Sequence, residues 1–179
     1  MSRPHRITVL LTASALVAGF GTWLVLVWLE RQYADAGSNY SLIEPRLFMG
    51  GLVRDPPRGT GAALNLCEQD DAYRCTVHRW EAIPDTAPAP ELGWLRKQVE
   101  FIEGERKAGH IVYVHCRNGV SRSGMVVIAY LMFEHGWTRD EALAFARSRR
   151  PIVRPNLAFM ERLSEWEAEL AATTGQPSR

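Results

Sequence analysis

Residues 111–135 restrict the fold more than any other part of the chain. Ile-Val-Tyr-Val-His at 111–115 is a continuous apolar run without polar alternation, the pattern of a strand buried on both faces of a mainly parallel sheet. Cys116 ends the run, five residues of turn character follow (Arg117, Asn118, Gly119, Val120, Ser121), and Arg122 opens a long apolar stretch of helix type. Strand, tight loop and helix N-terminus in succession aim backbone N–H groups at one point and favour negative charge there. The same field draws Cys116 towards a thiolate. Arg122 supplies a planar fork of donors that matches two oxygens of a phosphate. A nucleophile and an anion clamp therefore face one small site.

His115, Cys116, Gly119, Arg122 and Ser123 stand in register as His-Cys-x5-Arg-Ser. This resembles the signature loop of the cysteine-dependent protein tyrosine phosphatases, and Gly119 with Ser121-Arg122-Ser123 makes it most similar to their dual-specificity branch. The resemblance runs from about residue 40 to about residue 170. It implies an α/β fold with a mainly parallel central sheet flanked by helices. It also implies roles. Cys116 attacks phosphorus, while Arg122 and the loop amides of Arg117, Asn118, Gly119, Val120, Ser121 and Arg122 hold the phosphate oxygens. Ser123 donates to the sulfur, and His115 orients the loop from behind through its ring nitrogens. Expulsion of an alkoxide or phenoxide needs a proton. Asp85, 31 residues before Cys116 between Pro84 and Thr86, takes the place of the family's general acid, with Glu81 and Glu91 as rivals. Asp85 then serves as the base that activates water against the cysteinyl-phosphate. No cofactor and no metal is expected, since the cradle itself supplies positive charge to the developing oxyanions.

The rest of the sequence bounds this reading. A chain of 179 residues, 46% of them hydrophobic, holds one sizeable core and no second catalytic domain. Three cysteines without a CxxC pair suit neither a disulfide scaffold nor a zinc site. A net charge of +1 leaves no footprint for nucleic acid. Only two of the basic residues are lysine, Lys97 and Lys107, a bias expected of a GC-rich, bacterial genome.

Residues 7–29 form 23 uncharged, mostly apolar positions, long enough to span a bilayer core of ~30 Å, with Trp23 and Trp28 toward one end where aromatics favour the interface. The expected organisation is a short cytoplasmic N-terminus (1–6), a transmembrane signal-anchor helix (7–29), a linker (30–39), a phosphatase catalytic domain (40–172) and a flexible tail (173–179). Ala34-Asp35-Ala36 has the form of a signal-peptide cleavage site, but the apolar stretch exceeds a usual signal core. Arg3 and Arg6 precede the span while Glu30 and Arg31 cancel after it. The positive-inside rule then places the N-terminus in the cytoplasm and the catalytic domain outside it, periplasmic in a bacterium.

Along the catalytic part, residues 41–51 read as a first strand, and proline and glycine make 54–61 irregular. Residues 62–67 and 76–83 read as strands. Leu92, Leu95, Val99 and Ile102 mark a helix stopped by Gly109. Gly136 stands at the C-cap of the helix after the loop, and Thr138-Arg139-Asp140-Glu141 is a capping box. Asn156 suits the cap of a last helix whose Leu157, Met160, Leu163, Trp166 and Leu170 form a core stripe.

The substrate expected from the family resemblance is phosphotyrosine, with phosphoserine and phosphothreonine, in proteins. A phospholipid or phosphoinositide is the alternative. Arg147, Arg149, Arg150 and Arg154 form a basic cluster that the resemblance brings near the pocket, with Arg150 as a candidate for a second anion; solvated arginines complementing a helix end are the alternative. Sulfur transfer, arsenate reduction and a phospho-binding pseudophosphatase are competing classes. Asn65-Leu66-Cys67 has a counterpart in phosphoinositide-directed relatives, which makes Cys67 a candidate redox partner for Cys116, against a Cys67–Cys75 disulfide or no pairing.

Overall fold

The computed structural model describes residues 38–174. The apolar segment 7–29, its flanking charges, the possible cleavage site at Ala36 and the tail beyond residue 174 lie outside the described residues. No helix among the described residues is long and apolar enough to cross a membrane.

Five strands form one sheet: β1 (Tyr40–Glu44), β2 (Leu47–Gly50), β3 (Thr60–Asn65), β4 (Val77–Trp80) and β5 (Ile111–His115), in the spatial order β1-β2-β5-β3-β4. β5 sits in the middle, parallel to β2 on one side and β3 on the other, and β4 is parallel to β3. β1 alone is antiparallel. A strand hydrogen-bonded on both edges and covered on both faces must be apolar throughout, and Val112 to His115 are fully buried.

The sheet is flanked by α1 (Leu92–Lys107), α2 (Arg122–His135), α3 (Arg139–Arg149) and α4 (Leu157–Thr174). α2 is buried from Arg122 to Met132, as a helix without a polar face must be. It ends at Gly136 in the left-handed conformation (φ 65°), which glycine adopts without a Cβ penalty. Thr138 and Glu141 form the reciprocal capping box of α3, and Asn156 Oδ1 accepts from Phe159 N–H at the start of α4. Trp166 of α4 is buried and donates Nε1–H to Ala129 O of α2 at 3.1 Å, so the largest core side chain is also satisfied.

Five expectations change. Residues 41–51 are two strands, because Arg46 adopts φ 66° and turns the chain into an antiparallel hairpin. The strand expected at 62–67 runs from Thr60 to Asn65, and that at 76–83 is confined to 77–80. Leu157 does not join the core stripe: it is 76% exposed, while Leu163, Trp166 and Phe159 carry the packing. α4 reaches Thr174, into the stretch expected as tail.

The topology also places the chain's entrance. β1 is antiparallel to β2, which is parallel to β5, so Tyr40 pairs with Gly50 and Gly50 with His115. The described chain therefore starts at the sheet edge where β5 ends.

Candidate active site

Cys116 follows directly on β5, 2% exposed, at the foot of the loop that returns the chain into α2. Gly119 makes this loop possible. Its φ is 67°, and a Cβ there would lie 2.3 Å from the carbonyl carbon of Gly50, so both backbone freedom and close approach require glycine. Gly50 O in turn accepts from Cys116 N–H, and Leu52 N–H donates to Arg117 O. The loop is thus clamped to the end of β2.

Burial alone pushes the Cys116 thiol up. Hydrogen bonds from the Ser123 hydroxyl and from the Ser123, Val120 and Gly119 amides outweigh it and bring the thiol below its ordinary value. The Ser123 Oγ to Cys116 Sγ distance is 3.3 Å. Preformed donors converge on the sulfur and favour its ionised form, the condition for a reactive thiolate.

Arg122, the first residue of α2, is 4% exposed. Its Nη1 donates to Leu66 O (3.2 Å), Ile83 O (2.9 Å) and Glu68 Oε1 (2.8 Å). Its buried Nε has no hydrogen-bond acceptor among the described residues. Such a donor is costly to leave unmatched, and an oxyanion lying over the loop would match it.

Asp85 follows Ile83 and Pro84 on the loop before α1. Its Oδ1 accepts from Ser121 Oγ at 2.6 Å and from Asn156 Nδ2 at 3.0 Å. Oδ2 is left clear of these donors, 4.0 Å from Arg122 Nε, and so faces the anion site. Ser121 Oγ also accepts from Asn156 N–H, and it makes no cap bond to α2. Of the rivals, Glu81 follows β4 with its N–H on Asn65 O and Glu91 is the N-cap residue of α1; neither carboxylate bonds the loop.

His115, the residue before Cys116, is buried and stacked on Tyr113 with ring centroids 4.9 Å apart. Its Nε2 lies 3.2 Å from Asp71 Oδ2, which also meets His78 Nε2 at 2.7 Å. Burial raises the Asp71 carboxyl, but the hydrogen bonds and charges of His115 and His78 bring it below its ordinary value. His115 Nδ1 faces Cys67 Sγ at 4.0 Å. Cys67, Cys75 and Cys116 are free thiols, so Cys67 and Cys75 form no disulfide. Burial and the neighbouring Cys116 push Cys67 up to about 12. Leu52, Cys67, Glu68, Gln69 and Arg117 line a cavity of about 140 Å³ beside the loop.

Arg150 does not stand as a second anion site. It is 5% exposed, and its Nε donates to Gly119 O (2.7 Å) while Nη2 donates to Asn118 O (3.1 Å) and Asn39 Oδ1 (2.7 Å). A buried guanidinium spent on carbonyls braces the loop from below. Arg147 bonds Val153 O and Arg149 lies over the Phe145 ring; Arg154 is exposed, its backbone N–H on Val120 O. Arg117 and Asn118 are exposed at the loop's outer rim. The structure adds Glu68 and Asp71 to the site. Both belong to the acidic run Glu68-Gln69-Asp70-Asp71, in which no sequence signal separates a buried carboxylate from solvated ones.

The family model for the dual specificity phosphatase catalytic domain matches residues 63–169. Human dual specificity protein phosphatase 1 is 36% identical over 116 residues, 64% of this chain and 32% of its own length. Human dual specificity protein phosphatase 8 is 42% identical over 120 residues, 64% of this chain and 19% of its own. The chain thus spans a third or less of the length of these curated relatives. Among solved structures, a mouse dual specificity phosphatase complexed with zinc tungstate superposes with a TM-score of 0.69 at 30% identity, covering 79% of this chain and 94% of the other. PTPMT1 in complex with PI(5)P shares the fold, with a TM-score of 0.68 at 24% identity over 76% of this chain and 99% of its own.

Proposed function

The chain belongs to the dual specificity phosphatase family, and on that premise we propose that it hydrolyses phosphate monoesters through a cysteinyl-phosphate. One observation carries the proposal: the Cys116 sulfur lies under converging donors beside the unmatched Nε of Arg122, with Asp85 Oδ2 turned to the same space.

The thiolate attacks phosphorus as the ester bond breaks, and Asp85 Oδ2 delivers its proton to the departing oxygen. Arg122 and the loop amides hold the other phosphate oxygens. Water then attacks the cysteinyl-phosphate and loses its proton to Asp85. The phosphorus–sulfur bond breaks, and the thiolate returns to the Ser123 hydroxyl. The products are an alcohol or phenol and inorganic phosphate. Ser121 and Asn156 act as positioning residues, since their hydrogen bonds leave Oδ2 of Asp85 clear to face the anion site.

The family favours phosphotyrosine and phosphoserine or phosphothreonine in proteins as substrates. A phosphorylated lipid is the second reading, supported by the apolar segment 7–29 and by exposed apolar side chains beside the loop. Segment 7–29 is read as an anchor with the N-terminus in the cytoplasm and the catalytic domain on the other side. The decisive test is turnover of an aryl phosphate in the presence of a chelator. Wild type should turn over and Cys116→Ser should not; a Cys116→Ser variant with substantial turnover, or a wild type silenced by chelation, refutes the mechanism.

A further inference from the structure

Segment 150–157 forms one wall of the site. Arg150 holds the loop carbonyls, Arg154 N–H bonds Val120 O, and Asn156 bonds both Ser121 and Asp85. Yet two large apolar side chains of this wall point away from the core: Ile152 is 54% exposed and Leu157 76%. Single exposed apolar residues need no explanation. Here two lie on the one segment that holds the Cys116 loop and Asp85, with Arg154 between them in sequence, exposed and without a side-chain partner among the described residues. The wall carries no carboxylate. The acid loop across the mouth exposes Ala82, Pro84, Ala87 and Pro88 and has Asp85 as its one charged residue from 82 to 90. The carboxylates on the β3 side are already paired, Glu68 with Arg122 and Asp70 with Arg74.

The chain's entrance lies at this same edge. Asn39 O accepts from Gly51 N–H, and Asn39 Oδ1 accepts from the Arg150 that holds the loop. Nine residues, 30–38, separate this edge from the apolar segment 7–29, a reach of at most about 30 Å when fully extended. A chain held in a bilayer by 7–29 therefore keeps Asn39 and the end of the loop beside it within about that distance of the lipid.

We propose that the rim formed by Ile152, Arg154 and Leu157 docks on an anionic bilayer surface, so that the site takes its phosphate monoester from a lipid headgroup. The inference rests on the phosphatase reading above and names its substrate class. Apolar side chains at the headgroup boundary with a cation among them are what an interfacial contact requires, and the phosphate is presented at the level where those side chains insert.

The test uses the full chain in phosphatidylcholine vesicles that carry phosphatidic acid and phosphatidylinositol phosphates. Release of inorganic phosphate from the lipids is compared with turnover of a soluble aryl phosphate in the same sample. Wild type should cleave both. The double variant Ile152→Ser/Leu157→Ser should lose about tenfold on the lipid and stay within about twofold on the aryl phosphate, since the apolar contact exists only at the interface. Arg154→Glu, which leaves the apolar pair intact, should fall in the same direction on the lipid alone. The proposal is overturned if the ratio of the two rates is unchanged in both variants. It is overturned too if wild type cleaves a soluble phosphotyrosine peptide and the aryl phosphate but not the lipids, which leaves the phosphatase reading standing. Absence of aryl phosphate turnover in wild type would instead remove the phosphatase reading itself.

Discussion

Ser123→Ala removes one donor from the Cys116 sulfur and little else. The Ser123 hydroxyl lies 3.3 Å from Sγ and 3.4 Å from Gly50 O, and its single proton goes to the sulfur once the sulfur is ionised. A hydrogen bond to a charged group contributes about 1.5–3 kcal/mol, so its loss should shift the thiolate–thiol balance roughly ten- to a hundredfold toward the thiol. The direction follows from which form is stabilised. Ser123 favours the thiolate, so its removal raises the pKa and moves ionisation to higher pH. Alkylation of Cys116 by iodoacetamide, followed against pH, reads this directly. The variant should react more slowly at acidic and neutral pH and approach wild type in alkali. Turnover should also change character, because a poorer leaving thiolate slows cysteinyl-phosphate hydrolysis and yields a burst of phenol. Folding should hold at acidic pH, where the sulfur is a thiol in both proteins: Gly50 O keeps its bond from Cys116 N–H at 3.3 Å, and the denaturation free energy there should stay within about 1 kcal/mol of wild type. An alkylation profile that does not move, or moves to lower pH, refutes the assignment of Ser123.

Asp85→Ala should slow turnover by roughly 10²–10⁴-fold on esters with poor leaving groups and much less on a leaving group that needs no proton; equal losses on both would take Asp85 out of the general-acid role. Asp71→Ala strips His78 and His115 of their shared acceptor and should cost about 1–3 kcal/mol in denaturant unfolding near neutral pH. Because the folded Asp71 carboxyl is held below its ordinary value, that stability is present above the unfolded carboxyl's pKa and lost as pH falls through the folded one, so variant and wild type should converge in acid; divergence there contradicts the linkage. Peroxide should oxidise Cys116 to a sulfenic acid that condenses with Cys67, expelling water and forming a disulfide that thiol reductants reverse. Peptide mapping that finds Cys116 over-oxidised beside a free Cys67 ends that idea.

Local signals in the sequence determined the loop and its flanks. The apolar run 111–115, Gly119, Arg122, Gly136 and the Thr138–Glu141 box each act within one element or across one turn, where the chain itself supplies both partners. The loop between Cys116 and Arg122 and the central place of β5 were legible for that reason. Tertiary structure decided what holds them. Asp71 lies 44 residues from His115, Glu68 54 from Arg122, Arg150 31 from Gly119, and Asp85 71 from Asn156. Each of these pairs exists only because β3 aligns with β5 and because α3 and α4 return to the loop. An arginine that looks like an anion ligand in a basic cluster becomes a buried brace when the loop carbonyls are what it meets. Leu157 stands in register with a core stripe and is nevertheless exposed, because burial depends on which element packs against that turn of helix. Spacing along the chain specifies a residue's own element and face, whereas its partners are set by how the sheet and helices assemble.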